Sequence, residues 1–251
     1  MSNKKSRKSR NNGNQNHKEN VHHGNFKSDG WHPLEAEIDG RRDQKYVKNI
    51  KPRSAGQEKL MQAIKEYSLT MAIGPAGTGK TYLAIASAVE ALEKGEIERI
   101  ILSRPAMEAG ESLGFLPGDL HEKMAPYLRP LYDCLGDRMG GKKVRQYLED
   151  GTIEIAPIGF MRGRTLNNAF VVIDEAQNCT YSQLKMILSR LGWHSTMVIT
   201  GDPDQSDLLE GMSGLAQISK RLETLPKVAV CQLEQKDIVR HPLVAEMLDV
   251  L

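Results

Sequence analysis

Cysteine is scarce in this chain. There are three in 251 residues, Cys134, Cys179 and Cys231. They form no C-x-x-C pair, and an odd number spaced this widely argues against a secreted disulfide framework. Each sits beside apolar residues or in a helical pattern, which predicts buried thiols. Long apolar runs are missing as well. None approaches the roughly 20 residues of a membrane helix, and the basic N-terminus has no apolar segment behind it, so no signal peptide is read. The expected compartment is the cytoplasm, with no membrane partner. His17, His22, His23 and His32 lie in a polar stretch without cysteine partners or a scaffold, which argues against a metal site there.

Acidic residues are nearly absent from one end. Residues 1–28 hold seven Lys/Arg against the single acid Glu19, a net +6, which leaves −4 for the rest of a chain whose total is +2. Residues 1–30 have almost nothing to bury, so a disordered basic arm is expected. Such an arm serves either as a contact for an anionic surface such as nucleic acid or as a solubilising tail. Residues 31–53 carry scattered apolar anchors (Trp31, Leu34, Ile38, Tyr46, Val47, Ile50) and read as a linker or surface-docked segment.

From Ser54 the pattern becomes regular. Ser54 reads as a helix N-cap, followed by an apolar stripe at Leu60, Met61 and Ile64. Strand-like runs at 69–73, 99–103, 152–156, 169–174, 196–201 and 228–233 then alternate with helix-like runs at 79–94, 119–139 (broken near Pro126 and Pro130), 142–148, 182–191, 213–221 and 242–251. Alternation of this kind predicts an α/β fold, a mostly parallel sheet flanked by helices, in one domain over 54–251.

What is abundant is phosphate-binding chemistry. Residues 74–81 read GPAGTGKT, after the apolar run 69–73 and before a helical stretch. Strand, glycine loop, Lys-Thr, helix is the arrangement that cradles a nucleoside triphosphate. Gly74, Gly77 and Gly79 let the backbone curl and aim N–H groups at phosphate oxygens, with Pro75, Ala76 and Thr78 completing the loop. Lys80 is read as reaching the β- and γ-phosphates, and the Thr81 hydroxyl as holding Mg²⁺. The expected ligands are ATP and Mg²⁺.

A second apolar strand ends in Asp174-Glu175. In a P-loop protein the strand beside the phosphate loop carries an Asp that holds Mg²⁺, and Asp174 fits. Side chains alternate along a strand, so Glu175 points differently. It is read as the general base or orienter of the water that attacks the γ-phosphate, which favours hydrolysis over phosphotransfer. A third strand runs into residues 201–205, GDPDQ, where Gln205 is read as a γ-phosphate sensor. Ligands gather at the carboxyl ends of parallel strands, so the three motifs should converge.

Together, GPAGTGKT, VVIDEAQN and TGDPDQ resemble the nucleotide-binding half of superfamily 1 helicases, and more closely the PhoH-like ATPases, the phosphate-starvation-inducible family of bacteria and their phages. Residues 103–105 (SRP), 108–111 (EAGE), 114–120 (GFLPGDL), 126–133 (PYLRPLYD), 160–166 (FMRGRTL) and 237–241 (DIVRH) extend the likeness from about Ile50 to Leu251. The resemblance implies a P-loop NTPase (RecA-like) fold, ATP binding and hydrolysis, and coupling to RNA or another single-stranded nucleic acid. By analogy with the helicases, Gln57 would contact adenine and Arg240 would act as an arginine finger. Arg162 and Arg164 would contact phosphate or nucleic acid. The chain departs from the helicases in carrying one RecA-like unit instead of two, which implies a homo-oligomer, such as a ring, that borrows the second half of the site from a neighbour. Some relatives carry a nuclease domain in front. The acidic cluster it needs is missing here, so nuclease activity is not expected. The alternative reading is an ATP-dependent switch that turns over slowly and gates a partner.

Overall fold

Ser54 sets the first helix. In a computed structural model of the chain, which describes residues 50–105, 120–239 and 247, Ser54 is extended and its hydroxyl accepts a hydrogen bond from the Gln57 amide at 3.2 Å. Helix α1 runs Ala55–Glu66 and buries Gln57, Leu60, Ala63 and Ile64. The same serine bears on Asp237, a buried carboxyl that it holds below the usual carboxylate range. Asp237 also accepts from the Gly56 amide (3.3 Å) and the Glu234 amide (2.9 Å), so one acid ties the start of α1 to the end of the described chain. Ser54→Ala removes the cap and a partner of Asp237. It should cost about 1–2 kcal/mol, at the upper end of the usual cap range, read as a lowered midpoint in urea unfolding with unchanged slope.

The remaining elements follow as β1 (Leu69–Ile73), α2 (Lys80–Glu93), β2 (Arg99–Ser103), α3 (Leu120–Met139), α4 (Gly141–Glu149), β3 (Ile153–Ile155), β4 (Ala169–Ile173), α5 (Tyr181–Leu188), β5 (Thr196–Gly201), α6 (Leu215–Leu222) and β6 (Val228–Gln232). Short 3₁₀ turns lie at Ile158–Met161, Ala176–Asn178 and Gln235–Asp237. The six strands form one sheet in the order β3-β2-β4-β5-β1-β6, and every pairing is parallel. All carboxyl ends therefore share one edge.

Strand alternation divides the core into two layers. Ala72, Ile100, Leu102, Phe170, Val172 and Val198 face one way, into a cluster closed by α1, α2, α3 and α4. Met71, Ile73, Ile101, Val171, Ile173, Met197 and Ile199 face the other, against α5, α6 and the turn at Ile158–Met161. Both faces are covered, as a parallel sheet requires.

Two readings change. Helix α3 runs unbroken through Pro126 and Pro130. Each proline costs a helix interior about 3 kcal/mol. Leu128, Leu131, Leu135 and Met139 form one buried stripe, and at about 2 kcal/mol per side chain that burial outweighs the cost. The strand carrying Asp174 is not beside the phosphate-loop strand, because β5 lies between β4 and β1. The expected arm over 1–30, residues 31–49 of the segment 31–53 and, Met247 apart, the helix over 242–251 lie outside the described residues. Among the described residues, no helix is long and apolar enough to cross a membrane. Cys179 is buried and Cys134 and Cys231 are half-buried, and burial pushes the Cys134 and Cys179 thiols up to about 12.

Candidate functional site

The loop after β1 is shaped by its glycines. Gly74 has φ +139°, and a side chain there would run into the backbone carbonyl of Leu233, just past β6. Its amide donates to the Gly201 carbonyl at 3.2 Å, pinning the loop to the end of β5. Gly77 and Gly79 take left-handed φ values of 82° and 83°, conformations that are strained for other residues. Helix α2 then starts at Lys80 with no side-chain cap, so its first amides remain available to an anion. Two outside groups brace the loop. Gln57 is buried and donates to the Thr78 carbonyl at 3.0 Å while accepting from the Arg53 amide at 2.8 Å. The Val239 amide donates to the Gly77 carbonyl at 2.9 Å.

Lys80 is buried inside this loop. Its ammonium donates to the carbonyls of Gly74 (2.6 Å) and Pro75 (2.8 Å). Burial pushes its pKa below the ordinary lysine value, against the opposing pull of Asp202, Glu175 and Asp174. One cation thus serves three acids arriving from two other strands.

Asp174 is the meeting point of those strands. One oxygen, Oδ1, accepts from the Thr81 hydroxyl at 2.6 Å and from the Thr200 hydroxyl at 2.7 Å. Register explains the second contact, since Ile173 pairs with Ile199 and the next residues, Asp174 and Thr200, face each other. Glu175 is a non-glycine residue with φ +53° and ψ 42°, a left-handed conformation that costs on the order of 1–2 kcal/mol. Two side chains hold it there. Arg104 Nη2 donates to one carboxylate oxygen at 3.2 Å, and Gln177 Nε2 donates to the other. Arg104 also stands 4.0 Å from Asp174 Oδ2 and donates to the Tyr127 carbonyl at 3.3 Å. Gln177 Oε1 accepts from the Asp202 amide at 3.1 Å.

Of the residues singled out in the sequence, Gly74 to Thr81, Asp174 and Glu175 converge at the carboxyl edge, with Gln57 bonded to the loop. Gln205 is exposed; its amide closes a turn on the Asp202 carbonyl at 3.1 Å. Arg240 lies outside the described residues. Arg164 is committed to a two-pronged ion pair with Glu154. Arg162 is exposed, with no ion-pair partner among the described residues. Arg104, Gln177, Thr200 and Asp202 were missed as site members. Polar residues at the ends of apolar strands were the available signal, and the strand order decides which of them meet.

Among the described residues no group of three or more His, Cys, Asp or Glu side chains is arranged to hold a metal ion by itself. Thr81 and Asp174 do offer two hard oxygens side by side beside a phosphate-shaped loop. That suits Mg²⁺, which is commonly bound by one or two protein oxygens together with substrate phosphates.

A family model described as PhoH-like protein matches residues 49–251. The chain is 54% identical over 203 residues to a PhoH-like protein of Bacillus subtilis, covering 80% of this chain and 64% of that one. A PhoH-like protein of Synechocystis is 51% identical over 201 residues, 80% of this chain and 61% of the relative. Protein PhoH of Escherichia coli is 44% identical over 205 residues, 80% and 58% of the two chains. The match therefore spans less than two thirds of these relatives' length. Among solved structures, the large terminase from a thermophilic bacteriophage aligns at 12% identity with a TM-score of 0.49, over 79% of this chain and 50% of its own.

Proposed function

The chain belongs to the PhoH-like protein family, and we propose on that footing that it binds ATP with Mg²⁺ and hydrolyses it. The observation that carries the reading is Asp174 Oδ1 accepting from Thr81 and Thr200 together. That contact joins the metal-binding end of the phosphate loop to the strand that presents Glu175. Backbone amides of Gly77 to Thr81 and the Lys80 ammonium would take the phosphates. Thr81 and Asp174 would hold Mg²⁺, which supplies charge neutralisation at the phosphates. Glu175, half-buried and fixed from both sides, would accept the proton of an attacking water. Lys80 and Arg104 are the cations that offset charge around it. Phosphate release by the full-length chain, with and without single-stranded RNA over a salt series, tests both halves of the function. No release sinks the hydrolase. No stimulation or binding at low salt sinks RNA coupling, because phosphate contacts are strongest there.

RNA coupling rests on the exposed Arg162 and on the composition of the +6 arm. A homo-oligomer completing the site from a neighbouring copy is part of the same proposal. Light scattering with ATP and Mg²⁺ should give a mass of several chains, and a monomer would refute it.

One observation favours the slower switch. Arg104 and Gln177 both tie down Glu175, and a base so restrained could await release by a partner. Arg104→Ala separates the readings. If Arg104 positions Glu175, kcat falls about ten-fold or more with KM little changed, as loss of one organising contact at a reaction centre predicts. If Arg104 restrains it, turnover rises. The positioning result is expected, since the left-handed backbone at Glu175 leaves its side chain dependent on such contacts.

A further inference from the structure

Two large aromatic side chains stand out from the described surface. Trp193 is 80% exposed and Phe160 57%. Trp193 lines a cleft of about 1010 Å³ at the amino edge, beside Ser68 and Thr196, which begin or precede β1 and β5. The charged residues of that cleft are Lys65, Lys94, Glu90 and Glu96, which cancel. Phe160 lies in the turn Ile158–Met161, on the crossover that leads from β3 to β4. Ile158 and Met161 are buried in the core and anchor the turn, which leaves Phe160 presented on a fixed backbone.

The charges around Phe160 do not cancel. Arg164 takes Glu154 in the two-pronged ion pair. Arg190 spends its hydrogen bonds on neutral groups, the Arg164 carbonyl (3.0 Å), the Met186 carbonyl (3.2 Å) and the Ser189 hydroxyl (3.1 Å), and has no ion-pair partner among the described residues. Arg162 is exposed with no ion-pair partner among the described residues. The structure thus separates the two arginines of the 160–166 motif, making Arg164 structural and leaving Arg162 available.

We propose that Phe160, with Arg162 and Arg190, forms a docking site for single-stranded nucleic acid. The aromatic ring stacks on a base and the arginines take the backbone phosphates. An exposed aromatic among unpaired cations is the chemistry that single strands select, because every base has a stacking face and every nucleotide a phosphate. Duplexes keep their bases stacked and offer Phe160 no such face. The site deepens the RNA-coupling part of the proposed function and rests on it.

The test is equilibrium binding of full-length protein to a labelled single-stranded RNA and to the DNA of the same sequence, across a salt series. Phe160→Ala should weaken binding about five-fold or more, as stacking losses do, while Phe160→Tyr restores it. Turnover without nucleic acid should stay unchanged in both. Arg162→Ala should weaken binding uniformly across sequences and reduce the salt slope by about one, and Arg162→Lys should keep the slope. Trp193→Ala, in the neutral cleft, should bind as wild type. A ring that reads bases alone binds RNA and DNA alike, and tighter RNA binding adds a 2′-hydroxyl contact to the same site. Wild-type binding that survives both Phe160→Ala and Arg162→Ala overturns this site and leaves RNA coupling standing. Failure of the wild type to bind either strand at low salt overturns RNA coupling, and this site with it.

Discussion

Lys80→Ala is expected to lower phosphate release by about two to three orders of magnitude, the effect of removing one preorganised electrostatic donor from a reaction centre. Lys80 is buried where solvent screens poorly, and its ammonium faces Asp202, Glu175 and Asp174 at once. Without it, three acids border the phosphate loop with no cation inside the loop to offset them, and triphosphate binding should weaken together with turnover. The fold should survive, because the carbonyls of Gly74 and Pro75 that Lys80 occupies lie on a loop whose shape is also fixed by Gln57, Gly201 and Val239. Unchanged turnover, with thermal unfolding confirming an intact fold, would remove Lys80 from the chemistry.

Glu175→Gln should behave differently. Proton acceptance disappears, and a loss of about 10²- to 10⁴-fold in turnover is the usual scale for a general base. Binding should persist, because the amide keeps the carboxylate's shape and can still accept from Arg104 at one oxygen. ATP should therefore be retained without being cleaved. The split between lost turnover and kept affinity marks a group that acts in the transition state, whereas parallel loss of both would mark a structural one. Turnover equal to wild type would remove Glu175 from the chemistry.

Much of this site was legible because its parts are local. The phosphate loop is eight consecutive residues, and 69–73, 99–103 and 196–201 read as strands with the bounds the structure gives them. Asp174 was legible as an acid ending an apolar run. The company it keeps was not. Thr200 reaches Asp174 only because β5 is inserted between β4 and β1, and the order of strands in a sheet leaves no trace in periodicity. Arg104 follows β2 and meets Glu175 only because β2 pairs with β4. The left-handed backbone at Glu175 was equally hidden, since a non-glycine residue carries no local signal for it. Helix α3 misled in the other direction, where two prolines promised a break that tertiary burial overrode. The two arginines of the 160–166 motif looked alike until Glu154 was seen to pair with one of them.

The central claim is that Thr81 and Asp174 hold the Mg²⁺ of a bound triphosphate at a site built for hydrolysis. Phosphate release from ATP by the full-length chain, measured with Mg²⁺, with EDTA, and in Asp174→Asn, tests it most directly. The account predicts release that requires Mg²⁺ and is lost in Asp174→Asn while the fold persists. Release that is indifferent to EDTA and to that substitution, or no release from the wild type with Mg²⁺ present, would contradict it.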